Sequence, residues 1–217
     1  DHVSRLSTVR HFPMAIHLAE TREEIQLLRD QNGPLRELLI NHDVWEPTAF
    51  RLGTRPLDYL QLLSCAHRSL IIHGNYLDEE EIQYIGDNRR HMSVVYCPRT
   101  HAYFGHSRYP LSRMLDAGVN VALGTDSRAS NPDLGLLSEM RYLVHEFPDL
   151  SSHAILRMGT INGALALGLD NVLGTLTPGK KASFIAVRLA ENDQPDTGCL
   201  VLDNNSSIEL VVVNGRL

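Results

Sequence analysis

Four side chains of the sequence have the chemical types needed for hydrolysis assisted by a divalent metal ion: His17, Glu20, His73 and Asp126. A neutral imidazole and a carboxylate oxygen, as at His17 and Asp126, are suitable ligands for such an ion. A bound metal lowers the pKa of water to about 7, which makes hydroxide available at neutral pH. Glu20 can carry protons, and His73 can orient the water and stabilise the developing charge. This set suits the addition of water to a C=N or C=O carbon.

These side chains follow short apolar segments, which indicates that they occupy the ends of β-strands. Asp126 comes just after the run 119–123, which is rich in β-branched residues and lies between two glycines. The segments 13–20, 69–75 and 92–98 have a similar character, and helical patterns separate them. This alternation predicts a parallel sheet whose carboxyl edge carries the site. One Asp at a strand exit would be a turn residue, so the prediction depends on all four strands.

The segments around these strands give further predictions. Thr21 and Glu24 have the spacing of a capping box at the start of a helix. The polar and aromatic segment 99–109 is predicted to be a loop at the same edge of the sheet. Two strands are predicted at 183–187 and 208–213, and such a pair needs further partners to be stable.

The composition limits the class of protein. Of 217 residues, 43% are hydrophobic and 21% are charged, which is typical of a globular chain. The formal net charge of −6 argues against nucleic acid as the main partner. No apolar run approaches the length of a membrane span, so no membrane partner is expected. The three cysteines are scattered and form no CxxC pattern, which fits a cytoplasmic location.

Three motifs occur in an order that is specific to one known superfamily. They are His17-Leu-Ala-Glu20, the strand-end His73, and Gly124-Thr-Asp126 followed by Ser130-Asn131. In this order the sequence resembles the metal-dependent amidohydrolase superfamily. The closer likeness is to its deaminase and chlorohydrolase branch, which includes cytosine, guanine, S-adenosylhomocysteine and aminofutalosine deaminases. The segment 97–101 is similar to the branch's Cys-Pro-x-Ser-Asn motif, but Thr and His replace Ser and Asn.

The resemblance implies a fold and a division of the chain. It implies an α/β structure with the C-terminal half of a (β/α)8 TIM-type barrel, made of strands five to eight with their helices. It assigns 1–172 to a partial barrel and 173–217 to the C-terminal strands of a small β-sandwich. The family's His-x-His pair of the first barrel strand does not occur here. We therefore expect a C-terminal piece of a longer enzyme, inactive and poorly folded by itself.

The resemblance also implies the roles of the site residues. His17 is expected to be a metal ligand from the fifth strand, and Asp126 a ligand or base from the eighth. Glu20 would transfer protons, and His73 would hold the attacking water. The ion is expected to be one zinc, with iron as the alternative. Residues expected to contact the substrate are Glu20, Arg99, His101 and Asn131.

Three functions are weighed for this chain. The first is deamination of a heterocyclic or nucleoside-like amine, a small-molecule substrate, with release of ammonia. The second is hydrolysis of a cyclic amide, an imide or a chloro-substituted ring on the same barrel. The third is a metal-free binding module, which only the missing His-x-His pair supports. A homodimer of the full-length protein is a further expectation.

Overall fold

The structure is a computed structural model that describes residues 2–191 and 194–217. Residue 1 lies outside the described residues, as do residues 192 and 193 of the segment assigned to the small β-sandwich. In chain order the elements are α1 (His2–Arg10), β1 (Pro13–Leu18), α2 (Arg22–Asp30), α3 (Pro34–Asn41), α4 (Pro56–Leu63), β2 (Arg68–His73), α5 (Glu79–Asp87), β3 (Met92–Tyr96), α6 (Pro98–Tyr103), α7 (Leu111–Asp116), β4 (Asn120–Leu123), α8 (Leu136–Glu146), α9 (Ser152–Met158), α10 (Ile161–Leu167), β5 (Phe184–Arg188), α11 (Thr197–Leu202) and β6 (Ser207–Val212).

Four strands form one sheet in the order β1-β2-β3-β4. The strands β1 and β2 are parallel, with Leu18 opposite His73, and β2 and β3 are also parallel, with Ile72 opposite Val95. Helices lie between successive strands along the chain, as parallel connections require. The predicted α/β fold with a parallel sheet and helical crossovers is therefore confirmed.

The described chain forms two compact units. The first contains the residues up to 95 together with 105–120, and the second contains 96–104 together with 121–217. The boundary predicted between residues 172 and 173 stays a prediction.

In the first unit, the residues of β2 alternate between buried and half-buried positions. Ser69, Ile71 and His73 of this strand are buried, while the residues between them are half-buried. Ile82 and Ile85 of α5 are also fully buried, in keeping with a core of aliphatic side chains between helices and sheet. Burying such a side chain contributes about 1.5–3 kcal/mol. His73 thus belongs to the buried face of its strand, which explains why its side chain is shielded from solvent.

The second unit combines a helical core with a small sheet. Leu143 of α8 and Ile155 of α9 are fully buried, and α9 contacts α8, α10 and α11. The strands β5 and β6 pair antiparallel, with an irregularity between Ala186 and Val187. Both predicted C-terminal strands are thus confirmed, and they pair with each other.

One predicted element is wrong. The segment 99–109 was predicted to be a loop, but its first part belongs to α6, which begins at Pro98. Proline fits the first turn of a helix because its fixed φ suits that position and its missing N–H would have had no partner there.

No helix in the described part of the chain has the length and apolar character needed to span a membrane.

Candidate active site

Two histidines lie side by side at the carboxyl ends of β1 and β2. The parallel register places His17 opposite Ile72 and places His73 opposite Leu18. The two imidazole rings are 5.3 Å apart between centroids. His17 is exposed, whereas the side chain of His73 is almost completely buried. The sequence pattern of strand-end histidines therefore corresponds to a real pair in space.

Glu20 lies beside the same pair, in the segment that leaves β1. Its Oε1 atom is 3.6 Å from Nε2 of His73, and about a third of its side chain is exposed. This position gives the carboxylate access both to the buried imidazole and to solvent. Such access is what a group that transfers protons needs.

The helix that follows Glu20 begins differently from the predicted capping box. Thr21 caps α2 as predicted, because its side-chain oxygen accepts a hydrogen bond from the N–H of Glu24. The carboxylate of Glu24 does more than the box requires: it accepts hydrogen bonds from the N–H groups of Ala19 and Glu20, and the N–H of Thr21 also favours its charged form. The cap pattern alone could not reveal this difference, since both arrangements need the same two residue types.

Asp126 follows β4, and its carboxylate accepts a hydrogen bond from a neighbouring serine. The hydroxyl of Ser130 donates to Oδ2 of Asp126 over 3.1 Å. The hydroxyl oxygens of Thr100 and Ser130 lie 3.0 Å apart, and both residues are buried. One carboxylate oxygen of Asp126 therefore has a fixed partner inside the protein.

The potential ligand atoms of His17, His73 and Asp126 all lie within 4.8 Å of one another. Two imidazole nitrogens and a carboxylate oxygen are a donor set that suits zinc or iron. The three residues thus fit the divalent ion that the motifs imply. His73 has a ligand-type atom in this group, whereas the motifs assign it to the attacking water, and its role stays a prediction.

Several residues at this edge adopt a backbone conformation that is rare outside glycine. The φ angles are +54° for Ala19, +70° for His73 and +54° for Asp126. Left-handed conformations of non-glycine residues are strained and tend to persist at functional sites. Each of the three lies where the chain leaves a strand, so the strain coincides with the turns that present the side chains.

Arg99 and Asn131 were predicted to contact substrate, and the structure shows their side chains in an internal network. Arg99 makes ion pairs with Asp133 at 2.6 Å and with Glu139 at 2.7 Å. Its guanidinium also donates to Oδ1 of Asn131, whose amide donates to Glu139. Hydrogen bonding to Asp133 and Glu139 raises the pKa of Arg99, and the Arg99 partner lowers the pKa of Asp133. Contact with substrate stays a prediction for both residues.

Glu139 is the residue of this network that the sequence analysis missed. Its side chain is completely buried on α8, where Leu137, Met140 and Leu143 are also buried. The sequence signal that could have identified Glu139 is an acidic residue among the apolar positions of an amphipathic helix. A carboxylate buried there needs a charged or hydrogen-bonding partner.

His101 lies on α6 rather than in a loop. Its side chain is buried, and its ring makes an edge contact with the ring of Tyr96 at 5.7 Å between centroids. The predicted substrate contact of His101 stays a prediction.

Comparison with known proteins places the chain in a family. The sequence profile of the Amidohydrolase family matches residues 1–217. The chain belongs to the amidohydrolase family. Its α/β fold with a parallel sheet is the fold of solved members: it superimposes on an adenosine deaminase from Xanthomonas campestris with bound zinc with a TM-score of 0.73, at 25% identity over 94% of this chain and 44% of that one.

Further relatives share this fold or sequence. An aminofutalosine deaminase from Helicobacter pylori superimposes with a TM-score of 0.81 over 99% of this chain and 54% of that one, at 21% identity, which shows the fold alone. The 5-methylthioadenosine/S-adenosylhomocysteine deaminase of Moorella thermoacetica is 31% identical over 93% of this chain and 45% of its own length. The enzyme of the same name from Pyrococcus furiosus is 30% identical over 99% and 49%. The chain thus spans about half of the length of the curated relatives it matches.

Proposed function

We propose that the protein is a metal-dependent hydrolase that deaminates a heterocyclic or nucleoside-like amine. The observation that carries this proposal is the approach of His17, His73 and Asp126 to within 4.8 Å, with Glu20 beside His73. The names of the sequence relatives favour an adenosine-type substrate such as 5-methylthioadenosine or S-adenosylhomocysteine. In this reaction a C–O bond forms, the C–N bond to the amino group breaks, and ammonia leaves.

His17 and Asp126 would hold one divalent ion, for which zinc is our proposal. A metal ion in such a position lowers the pKa of water and so supplies a nucleophile at neutral pH. The hydrogen bond from Ser130 to Asp126 supports the ligand role, because it leaves the second carboxylate oxygen for another partner. Partners of this kind commonly orient metal-binding carboxylates.

Glu20 is assigned to proton transfer. Its carboxylate would take a proton from the attacking water and give it to the departing amino group, so that ammonia rather than an amide anion leaves. The distance of 3.6 Å to His73 Nε2 and the partial exposure of Glu20 support this role. Proton transfer by a positioned carboxylate contributes typically about 10²–10⁴-fold.

His73 is assigned to hold the attacking water and to stabilise the charge that develops on its oxygen. The burial of His73 supports this role, because polar interactions are stronger where water is excluded. Its backbone carbonyl accepts a hydrogen bond from the hydroxyl of Tyr109 over 2.8 Å, which helps to fix the residue.

The fold of the whole site is part of the proposal. We place the four parallel strands as strands five to eight of a (β/α)8 barrel, with 1–172 in the barrel and 173–217 in a small β-domain. Arg99, His101 and Asn131 would then lie near the substrate, with Arg99 and Asn131 also bound to Glu139.

The test is product release by the full protein that carries this sequence, loaded with zinc. We expect ammonia from adenosine, 5-methylthioadenosine or S-adenosylhomocysteine, and no chloride from a chloro-substituted triazine. His17→Ala should abolish ammonia release, whereas His42→Ala, which changes an exposed histidine, should not. Release of chloride alone, or ammonia release that His17→Ala leaves unchanged, would contradict the proposal.

A further inference from the structure

The carboxylate of Glu24 makes two hydrogen bonds to the backbone just before its own helix. Its Oε1 accepts from the N–H of Ala19 over 2.9 Å, and its Oε2 accepts from the N–H of Glu20 over 2.7 Å. Hydrogen bonds to an ionised carboxylate are about twice as strong as neutral ones. Both oxygens are therefore used to hold the peptide groups that lead into Glu20.

These hydrogen bonds are not needed to cap α2. The N–H of Glu24 already donates to the Thr21 hydroxyl over 3.1 Å, which is the usual cap at this position. Ala19 is completely buried and has a left-handed φ of +54°, so the chain turns sharply there. Without Glu24, the N–H groups of Ala19 and Glu20 would lose these acceptors, and a buried N–H without a partner is unfavourable.

Two further donors bind the carbonyl oxygens of Ala19 and Glu20. The side-chain Nδ2 of Asn75 donates to the carbonyl oxygen of Glu20 over 2.9 Å, and the N–H of Tyr76 donates to the carbonyl oxygen of Ala19 over 3.0 Å. Asn75 is buried and lies two residues after His73 in the chain. The backbone of Glu20 is thus held from one side by α2 and from the other by the segment that follows β2.

Glu24 is kept in this position although burial disfavours its charge. Desolvation raises the pKa of Glu24, and the nearby charge of Glu20 adds to the effect, while the N–H groups of Glu20 and Ala19 oppose it. A charged group that is kept in a buried position needs compensating interactions. Here those interactions are the backbone N–H groups that fix Glu20.

We propose that Glu24 and Asn75 are positioning residues, which hold the backbone of Glu20 so that its carboxylate stays beside Nε2 of His73. The inference rests on the proposed role of Glu20 in proton transfer. It explains how a residue outside the strand can keep a defined distance of 3.6 Å to His73. A displacement of about 1 Å at a catalytic group can cost about 10²-fold in rate.

The first measurement is hydrogen exchange at the amides of Ala19 and Glu20 in the full protein that carries this sequence, and it requires no activity. Glu24→Gln replaces one acceptor oxygen by a donor, so exchange at one or both amides should become at least about 10-fold faster. Asn75→Asp keeps the size of the side chain and removes the donor to Glu20. The control is Glu23→Gln, which removes the same charge from the same helical turn at an exposed position and should change neither amide.

The second measurement is kinetic and uses the full protein that carries this sequence. Glu24→Gln and Asn75→Asp should lower kcat by about 10–10²-fold with little change in KM, and should shift the pH profile of kcat, because Glu20 is displaced. Glu23→Gln should match the wild type. If Glu24 and Asn75 only stabilised the fold, the folded fraction of each variant would show the same pH profile of kcat as the wild type.

The outcomes separate the two proposals. Unchanged exchange at Ala19 and Glu20 in folded Glu24→Gln would overturn the positioning role even in an active enzyme. Faster exchange with an unaltered kcat and pH profile would overturn it as well. If the wild type releases no ammonia, the proposed function fails, and the exchange rates alone then decide whether Glu24 holds the Glu20 backbone.

Discussion

Ser130 donates a hydrogen bond from its hydroxyl to Oδ2 of Asp126 over 3.1 Å. Ser130 is buried, and its oxygen also lies 3.0 Å from the hydroxyl of Thr100. A carboxylate with one oxygen fixed in this way has a defined orientation for its other oxygen. The proposed ligand Asp126 is therefore oriented by residues that are not themselves proposed ligands.

Removal of the Ser130 hydroxyl should weaken metal binding. We expect Ser130→Ala to reduce zinc affinity by about 10–100-fold, which is the usual effect of losing a group that orients a ligand. Ser130→Thr keeps the hydroxyl and should restore most of the affinity. Zinc titration of each variant is the measurement, with Ser127→Ala at an exposed position as the control. Equal affinities for Ser130→Ala and wild type would show that Asp126 does not depend on Ser130.

Glu20→Gln should abolish turnover while the metal content remains nearly intact. The substitution removes the proton-transfer group, so kcat should fall by about 10²–10⁴-fold. Ammonia release and metal analysis of the same preparation are the measurements. Loss of the metal in this variant would make Glu20 a ligand, and unchanged turnover would remove it from the mechanism. Glu23→Gln serves as the matched control.

Glu139→Gln should destabilise the second unit. Its carboxylate is completely buried and accepts hydrogen bonds from Arg99 and Asn131. Removing one partner of a buried ion pair typically costs about 3–5 kcal/mol, and we expect a smaller loss here because Arg99 keeps its ion pair with Asp133. Denaturant unfolding of the variant and wild type gives the difference. Glu146→Gln, at an exposed position of the same helix, should change the free energy of unfolding little.

Asp133 should make the stability of the protein depend on pH in the acidic range. Its hydrogen bond to Arg99 lowers the pKa of Asp133 below the ordinary value of 3.8. A lowered pKa means that the stabilisation is complete above 3.8 and is lost as the pH falls towards the folded-state pKa. Asp133→Asn should therefore be less stable than wild type at pH 6, and the difference should shrink at pH 3.

Unfolding measured at both pH values tests this dependence on Asp133. A difference that stays constant between pH 6 and pH 3 would show that the carboxylate of Asp133 does not contribute through its charge. Asp149→Asn is the control, because Asp149 lies in an exposed turn after α8.

The strands could be predicted because their signals are local. The apolar runs before His73 and Asp126 are short and rich in β-branched residues, and a glycine follows each within two residues, a pattern that depends only on neighbouring residues. Placing both residues at one edge required only the rule that parallel strands share a carboxyl edge. The same rule also predicts that His17, near the carboxyl end of β1, lies close to His73 and Asp126.

The remaining features depend on contacts that a single sequence does not display. Arg99 pairs with Glu139 forty residues further along the chain, and no local pattern joins the two. Glu24 has the spacing of a capping box, yet its carboxylate binds the preceding turn, because Ala19 adopts a left-handed conformation there. The helix at Pro98 was missed because the polar and aromatic composition of the segment outweighed its helix-start signal.

The left-handed residues at the strand exits restrict how this site can change by mutation. At Ala19, φ is +54°, so glycine and asparagine should be accepted by the backbone, while valine, isoleucine and threonine should be rejected. At His73 and Asp126, glycine would relieve the backbone but delete the functional group. A saturation library at position 19, selected for folded protein, should therefore recover small or amide-bearing residues only. The glycine variants of His73 and Asp126 would fold but lack function.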